Sequence, residues 1–79
     1  MEISFSKQNA EKNKEALYLF LDFFSNNATQ ISKYFNISVP TVSAWKARGR
    51  ISRKMAERIH ADETLPFSRE QLRSDIRIW

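Results

Sequence analysis

Two helical patterns stand back to back in residues 27–47, separated only at Asn36 and Ile37, and this spacing constrains the fold more than any other feature of the chain. Asn27 can cap the first helix, with Gln30 three residues on reaching back to complete a capping box. Ile31, Tyr34 and Phe35 give that helix a buried face. The turn is expected at Asn36, because asparagine tolerates the left-handed conformation better than other non-glycine residues. Ser38 then caps the second helix. Pro40 belongs in its first turn, where a missing N–H sacrifices no helical hydrogen bond. Val42 and Trp45, three apart, turn inward, leaving Val39, Pro40, Ser43, Ala44 and Ala47 outward. Two short helices about a tight turn form a helix-turn-helix, and an outward face with no acidic or large group suits a major groove about 12 Å wide. The expectation is double-stranded DNA binding.

Charge distribution points the same way. The chain carries a net +4, but residues 28–60 hold Lys33, Lys46, Arg48, Arg50, Arg53, Lys54 and Arg58 against the single anion Glu57, a local +6. The remainder is −2. A basic segment laid over the helix pair is the footprint of phosphate neutralisation, whereas a surface that is merely soluble mixes its signs.

Other function classes lack support. Seventy-nine residues make one small domain with a modest core and no room for a large catalytic cleft. There is no cysteine and only one histidine, His60, so no zinc finger and no histidine pair for a metal can be assembled, no Ser-His-Asp reading can be built without arbitrary choices, and no cofactor is expected. His60 reads as a helix-end histidine. The apolar run 16–21 is broken by Asp22, far short of the roughly 20 residues that cross a bilayer. The start shows no signal-peptide pattern, which makes a cytoplasmic protein the default expectation.

Residues 30–46, followed by Gly49, Arg50, Ile51, Ala56 and Ile59, resemble the Cro repressors of lambdoid phages and their antitoxin-like, YdaS-type prophage relatives. The Thr41-Val42-Ser43-Ala44-Trp45 core and the tail Ser68-Arg69-Glu70-Gln71-Leu72-Arg73-Ser74-Asp75-Ile76 together carry that resemblance, which covers residues 20–76. Three positions depart from the family pattern: Ser32 stands where alanine is usual, Asn36 where glycine is usual, and Ser74 where proline is usual. Residues 1–14 have no counterpart. The chain is expected to be a single mainly α, five-helix domain over residues 1–79, with a leader at 1–10, the helix-turn-helix at 27–47 and a tail at 67–79, and the resemblance implies that this domain is lambda-repressor-like. It also implies a homodimeric repressor on a palindromic operator.

Periodicity supplies the remaining elements. Residues 11–24 form an amphipathic helix with Leu17, Phe20, Leu21 and Phe24 on one stripe. Leu19 and Phe23 make a second stripe beside Tyr18, which faces either a second subunit or a leader folded over it. Gly49 ends the second motif helix, Ser52 caps another through His60 with Met55, Ala56 and Ile59 inward and Ile51 as staple, and Ser68 caps a last short helix carrying Leu72. Residues 62–66 are a linker. Met1, Ile3 and Phe5, and Ile76 and Ile78, alternate with polar residues as two short strands of a small terminal sheet would. Trp45 reads as core, and Trp79 as either packed on a partner or frayed.

The expected interface has two layers. Lys46, Arg48, Arg50 and Arg53 clamp phosphates, aided by Thr29 and Gln30 at a helix N-terminus. Base reading falls to Ser38, Val39, Pro40, Thr41, Ser43 and Ala44, a set with hydroxyls and small apolar groups but no residue for a bidentate base contact. Specificity is therefore expected to be modest per base and partly shape-based. The alternative is an antitoxin-like or protein-interaction module that uses the same fold, with Leu19 and Phe23 as its contact or dimer surface.

Overall fold

A computed structural model describes the backbone of residues 2–79 and the side chains of residues 9–79. Five helices follow in order: α1 (Glu2–Phe23), α2 (Ala28–Phe35), α3 (Val39–Arg48), α4 (Arg53–Ala61) and α5 (Arg69–Leu72). Among the described residues there is no strand, and no helix is long and apolar enough to cross a membrane.

The expected terminal sheet is therefore corrected. Ile3 and Phe5 lie in the backbone of α1, and residues 76–79 have no regular structure; Met1 lies outside the described residues. Extending an existing helix adds one hydrogen bond per residue fixed, whereas a two-stranded sheet of such short runs is marginal, so the helix formers at Gln8, Ala10, Glu11 and Lys12 carry α1 back to Glu2. Because the leader continues the axis of α1, it does not fold back over Leu19 and Phe23.

The short helices are delimited as their sequences dictate. Asn27 caps α2, its side chain accepting from the Gln30 N–H at 3.1 Å. The reciprocal half of the capping box is not made, because the Asn27 N–H already donates to the Phe24 carbonyl. Asn36 adopts φ 56°, ψ 51°, and the N–H groups of Asn36 and Ile37 both return to the Ser32 carbonyl, closing a Schellman end. Gly49, at φ 75°, ends α3 the same way, with its N–H and that of Arg50 both on the Trp45 carbonyl. Ser38, Ser52 and Ser68 cap α3, α4 and α5, accepting from Thr41, Met55 and Gln71.

These helices enclose one core: Leu17, Phe20, Leu21 and Phe24 of α1 meet Ile31 and Phe35 of α2, Val42 and Trp45 of α3, and Met55, Ala56 and Ile59 of α4. Phe20 is the hub. Its ring lies edge-on to Phe24 at 5.3 Å, Trp45 at 6.2 Å and Phe67 at 5.6 Å, a preferred arrangement for aromatic quadrupoles. α2 packs on α3, and α5 packs on both α1 and α4.

Two expectations about burial are corrected. Tyr34 is 49% exposed because its hydroxyl reaches out to donate to Asp62 Oδ2 at 2.7 Å and lies 3.1 Å from the Thr64 hydroxyl. The linker also contributes more than a connection, since Leu65 is buried in the core, and Phe67 just after it packs against the core. Ser32 is buried, yet its hydroxyl donates to the Thr29 carbonyl at 2.8 Å. A serine is accommodated at that close-packed position because its polar group is satisfied within its own helix.

Candidate functional site

The outer surface of α3 is built by the inward commitment of Val42 and Trp45, both buried. Ser38, Val39, Pro40, Thr41, Ser43 and Ala47 are exposed, and Ala44 is half-buried. No carboxylate lies within α3 or its cap. The hydroxyls of Ser38 and Thr41 lie 2.8 Å apart, so two of the three hydroxyls expected to read bases are engaged with each other in the cap. Ser43 has no hydrogen-bond partner among the described residues. Thr29 and Gln30 are exposed in the first turn of α2.

The basic residues after α2 divide by whether the fold occupies them. Arg53, Arg58, Arg69 and Arg73 are tied into the fold. Arg58 donates to the Phe35 carbonyl at 2.7 Å and lies over the Phe35 ring. Arg53 donates to the Trp79 carbonyl at 2.9 Å, lies 5.5 Å from the Trp79 ring centroid and stands 3.8 Å from Glu57. By contrast, Lys46, Arg48 and Arg50 have no hydrogen-bond or ion-pair partner among the described residues. They converge on a groove of about 660 Å³ between the end of α3 and the middle of α1, which Lys14 and Tyr18 also line. Arg53, expected in the same clamp, is not among the lining residues. The difference arises because the tail returns over α4 and takes that guanidinium for itself.

Leu19 is 55% and Phe23 50% exposed. The Phe23 ring still meets Phe67 at 5.7 Å and Phe24 at 5.4 Å, so one edge is occupied within the chain. Trp79 packs back on the chain, with Arg53 and Arg69 each over its ring.

A polar cluster that sequence reasoning missed fixes the tail against α1 and forms one lip of the groove. Asn13 is buried; its Nδ2 donates to Asp75 Oδ1 at 2.8 Å, and its Oδ1 accepts from the Ser74 N–H at 2.8 Å. Arg73 donates to both Asp75 oxygens at 2.9 Å and to the Ile51 carbonyl at 3.1 Å. The Arg73 hydrogen bond, against the opposing effect of partial burial and with help from Asn13, holds the Asp75 carboxyl well below the usual carboxylate range. A signal was present: Asn13 stands three and four residues before Ala16 and Leu17, on the core stripe itself, where a polar residue demands a partner.

No known protein family, curated protein or solved structure matches this chain.

Proposed function

We propose that the chain is a double-stranded DNA-binding transcriptional regulator in which α2 and α3 act as a helix-turn-helix, as in the Cro-like repressors it resembles, and in which a homodimer binds a palindromic operator. One observation carries this reading: Lys46, Arg48 and Arg50 have no hydrogen-bond or ion-pair partner among the described residues and stand at the end of an acid-free, exposed helix face, while the arginines of α4 and the tail are occupied. Unpaired cations cost nothing to desolvate from an existing ion pair when they meet phosphates, and they release the counterions of the duplex on contact. α3 enters the major groove, with Val39 and Ala44 favouring thymine methyls and Ser43 supplying a hydroxyl to a base edge. The test is selection of bound duplexes from a random pool at near-physiological salt. A palindrome with half-sites about 10 bp apart is expected for a dimer that meets two successive major grooves. Recovery of duplexes with no common motif would overturn sequence-specific regulation.

The half-exposed Leu19 and Phe23 favour a second reading, an antitoxin-like module that engages another protein. Sedimentation of the chain alone discriminates the two: concentration-dependent dimerisation supports the repressor, and a stable monomer supports the interaction module.

A further inference from the structure

The groove at the end of α3 is closed on its far side by α1, which no part of the DNA-binding reading uses. Lys14 and Tyr18, one helical turn apart, form that wall, with Lys14 Nζ 6.0 Å from the centroid of the Tyr18 ring. Opposite them stand Lys46, Arg48 and Arg50, so four cations from two separate segments face one concavity. Among the described residues the one carboxylate lining it, Asp75, is already held by two Arg73 nitrogens and by Asn13, and its charge is compensated within the fold. Gly49 also lines the groove, and a Cβ built there would meet nothing within 4 Å, so the space beside it is open. The N–H groups of Gly49 and Arg50 are both spent on the Trp45 carbonyl. Whatever binds is therefore held by side-chain charge rather than by a backbone nest.

From this we infer that the groove is a phosphate-binding site in which Lys14 of α1 acts with Lys46, Arg48 and Arg50, the phosphate being that of a backbone strand flanking the major groove or of a free nucleotide. Four converging positive charges demand more than one negative charge, and about 660 Å³ exceeds the space one carboxylate needs, whereas consecutive phosphates satisfy both. Two guanidiniums offer forked donors to phosphate oxygens, and two ammoniums add point charges that rotate to meet them. The backbone-strand source rests on the DNA reading above; the free-nucleotide source does not.

The experiment is a titration of the isotope-labelled full chain, followed through the amides of Tyr18, Gly49 and Arg50, once with the selected duplex and once with ATP. It is made for the native sequence and for Lys14→Ala and Lys14→Arg, with duplex affinities measured across a salt series. The expected result is saturable movement of the groove amides with the duplex. Lys14→Ala then weakens duplex binding several-fold and reduces the salt slope by about one, and Lys14→Arg restores both. If ATP moves the groove amides and the duplex binds nowhere, the phosphate site stands and the DNA reading falls. If the duplex moves only residues 38–44 and Lys14→Ala changes neither affinity nor slope, the DNA reading stands and this inference is overturned. Silence of the groove amides toward both ligands overturns it as well.

Discussion

Asp75 and Arg53 show how single side chains are committed by the path of the tail. The Asp75 carboxyl accepts from Arg73 and Asn13 and so holds its proton more weakly in the folded chain than in the unfolded one. Its contribution to stability is then complete above the unfolded carboxylate value of about 4 and is lost as pH falls through the lower folded value. Thermal midpoints measured from neutral pH down to strongly acid should therefore drop for the native sequence. Asp75→Asn should start lower by about 1 kcal/mol, discounted for partial exposure, and decline less steeply. Arg53→Ala and Arg50→Ala separate the two classes of cation. Arg53→Ala should lower stability by about 0.5–1 kcal/mol through the loss of its Trp79 contacts, with duplex affinity little changed. Arg50→Ala should leave the melting curve in place and weaken duplex binding evenly across sequences. Equal losses of affinity in the two variants would refute the division. The basic character of both residues was plain in the sequence, but which of them is free was not, because Trp79 lies 26 positions from Arg53 and reaches it only through the returning tail.

At the scale of the element, Asn27 and three serines set where α2 to α5 begin, and left-handed residues at Asn36 and Gly49 set where α2 and α3 stop. Ser52→Ala should cost about 1 kcal/mol in urea unfolding, since the Met55 N–H loses its acceptor in a part-buried setting. Asn36→Ala should cost about 1–2 kcal/mol, because alanine lacks the local hydrogen bonding that makes a left-handed φ of 56° tolerable for asparagine. Asn36→Gly should be neutral or stabilising. The caps at Asn27, Ser38, Ser52 and Ser68 were legible because capping is a local event: acceptor and donor lie three residues apart, and the chemistry is the same wherever the helix is placed. The start of α1 was not legible. Alternation at Ile3 and Phe5 resembles a strand, but a helix already nucleated at 11–24 extends more cheaply than a new sheet forms. Tyr34 shows the same limit, since its spacing on α2 fits the buried stripe and only the placement of Asp62 draws its hydroxyl outward.

For the whole molecule, on the proposed DNA reading, the number of cations that meet phosphates sets how binding responds to salt. With Lys46, Arg48 and Arg50 acting in each protomer, the slope of log affinity against log salt should be about −3 per protomer, and about −4 if Lys14 joins them. Dimerisation belongs to the same scale. If the proposed homodimer forms through the Leu19 and Phe23 stripe, Leu19→Glu should abolish its concentration-dependent association in sedimentation while leaving the helical content intact, because Leu19 is more than half exposed in the single chain; a persistent dimer would place the interface elsewhere. The sequence by itself determined the body of α1, the helices α2 to α5 with their caps, the left-handed turns at Asn36 and Gly49 and most of the core stripe, because these follow from spacings of two to four residues and from the conformational range of each residue type. Only the tertiary structure decided which arginines are occupied, that Asn13 holds the tail, and that α1 meets the end of α3 to form a basic groove. Those depend on contacts between residues 22 to 62 positions apart, which are set by how the helices pack around Phe20 rather than by any local pattern.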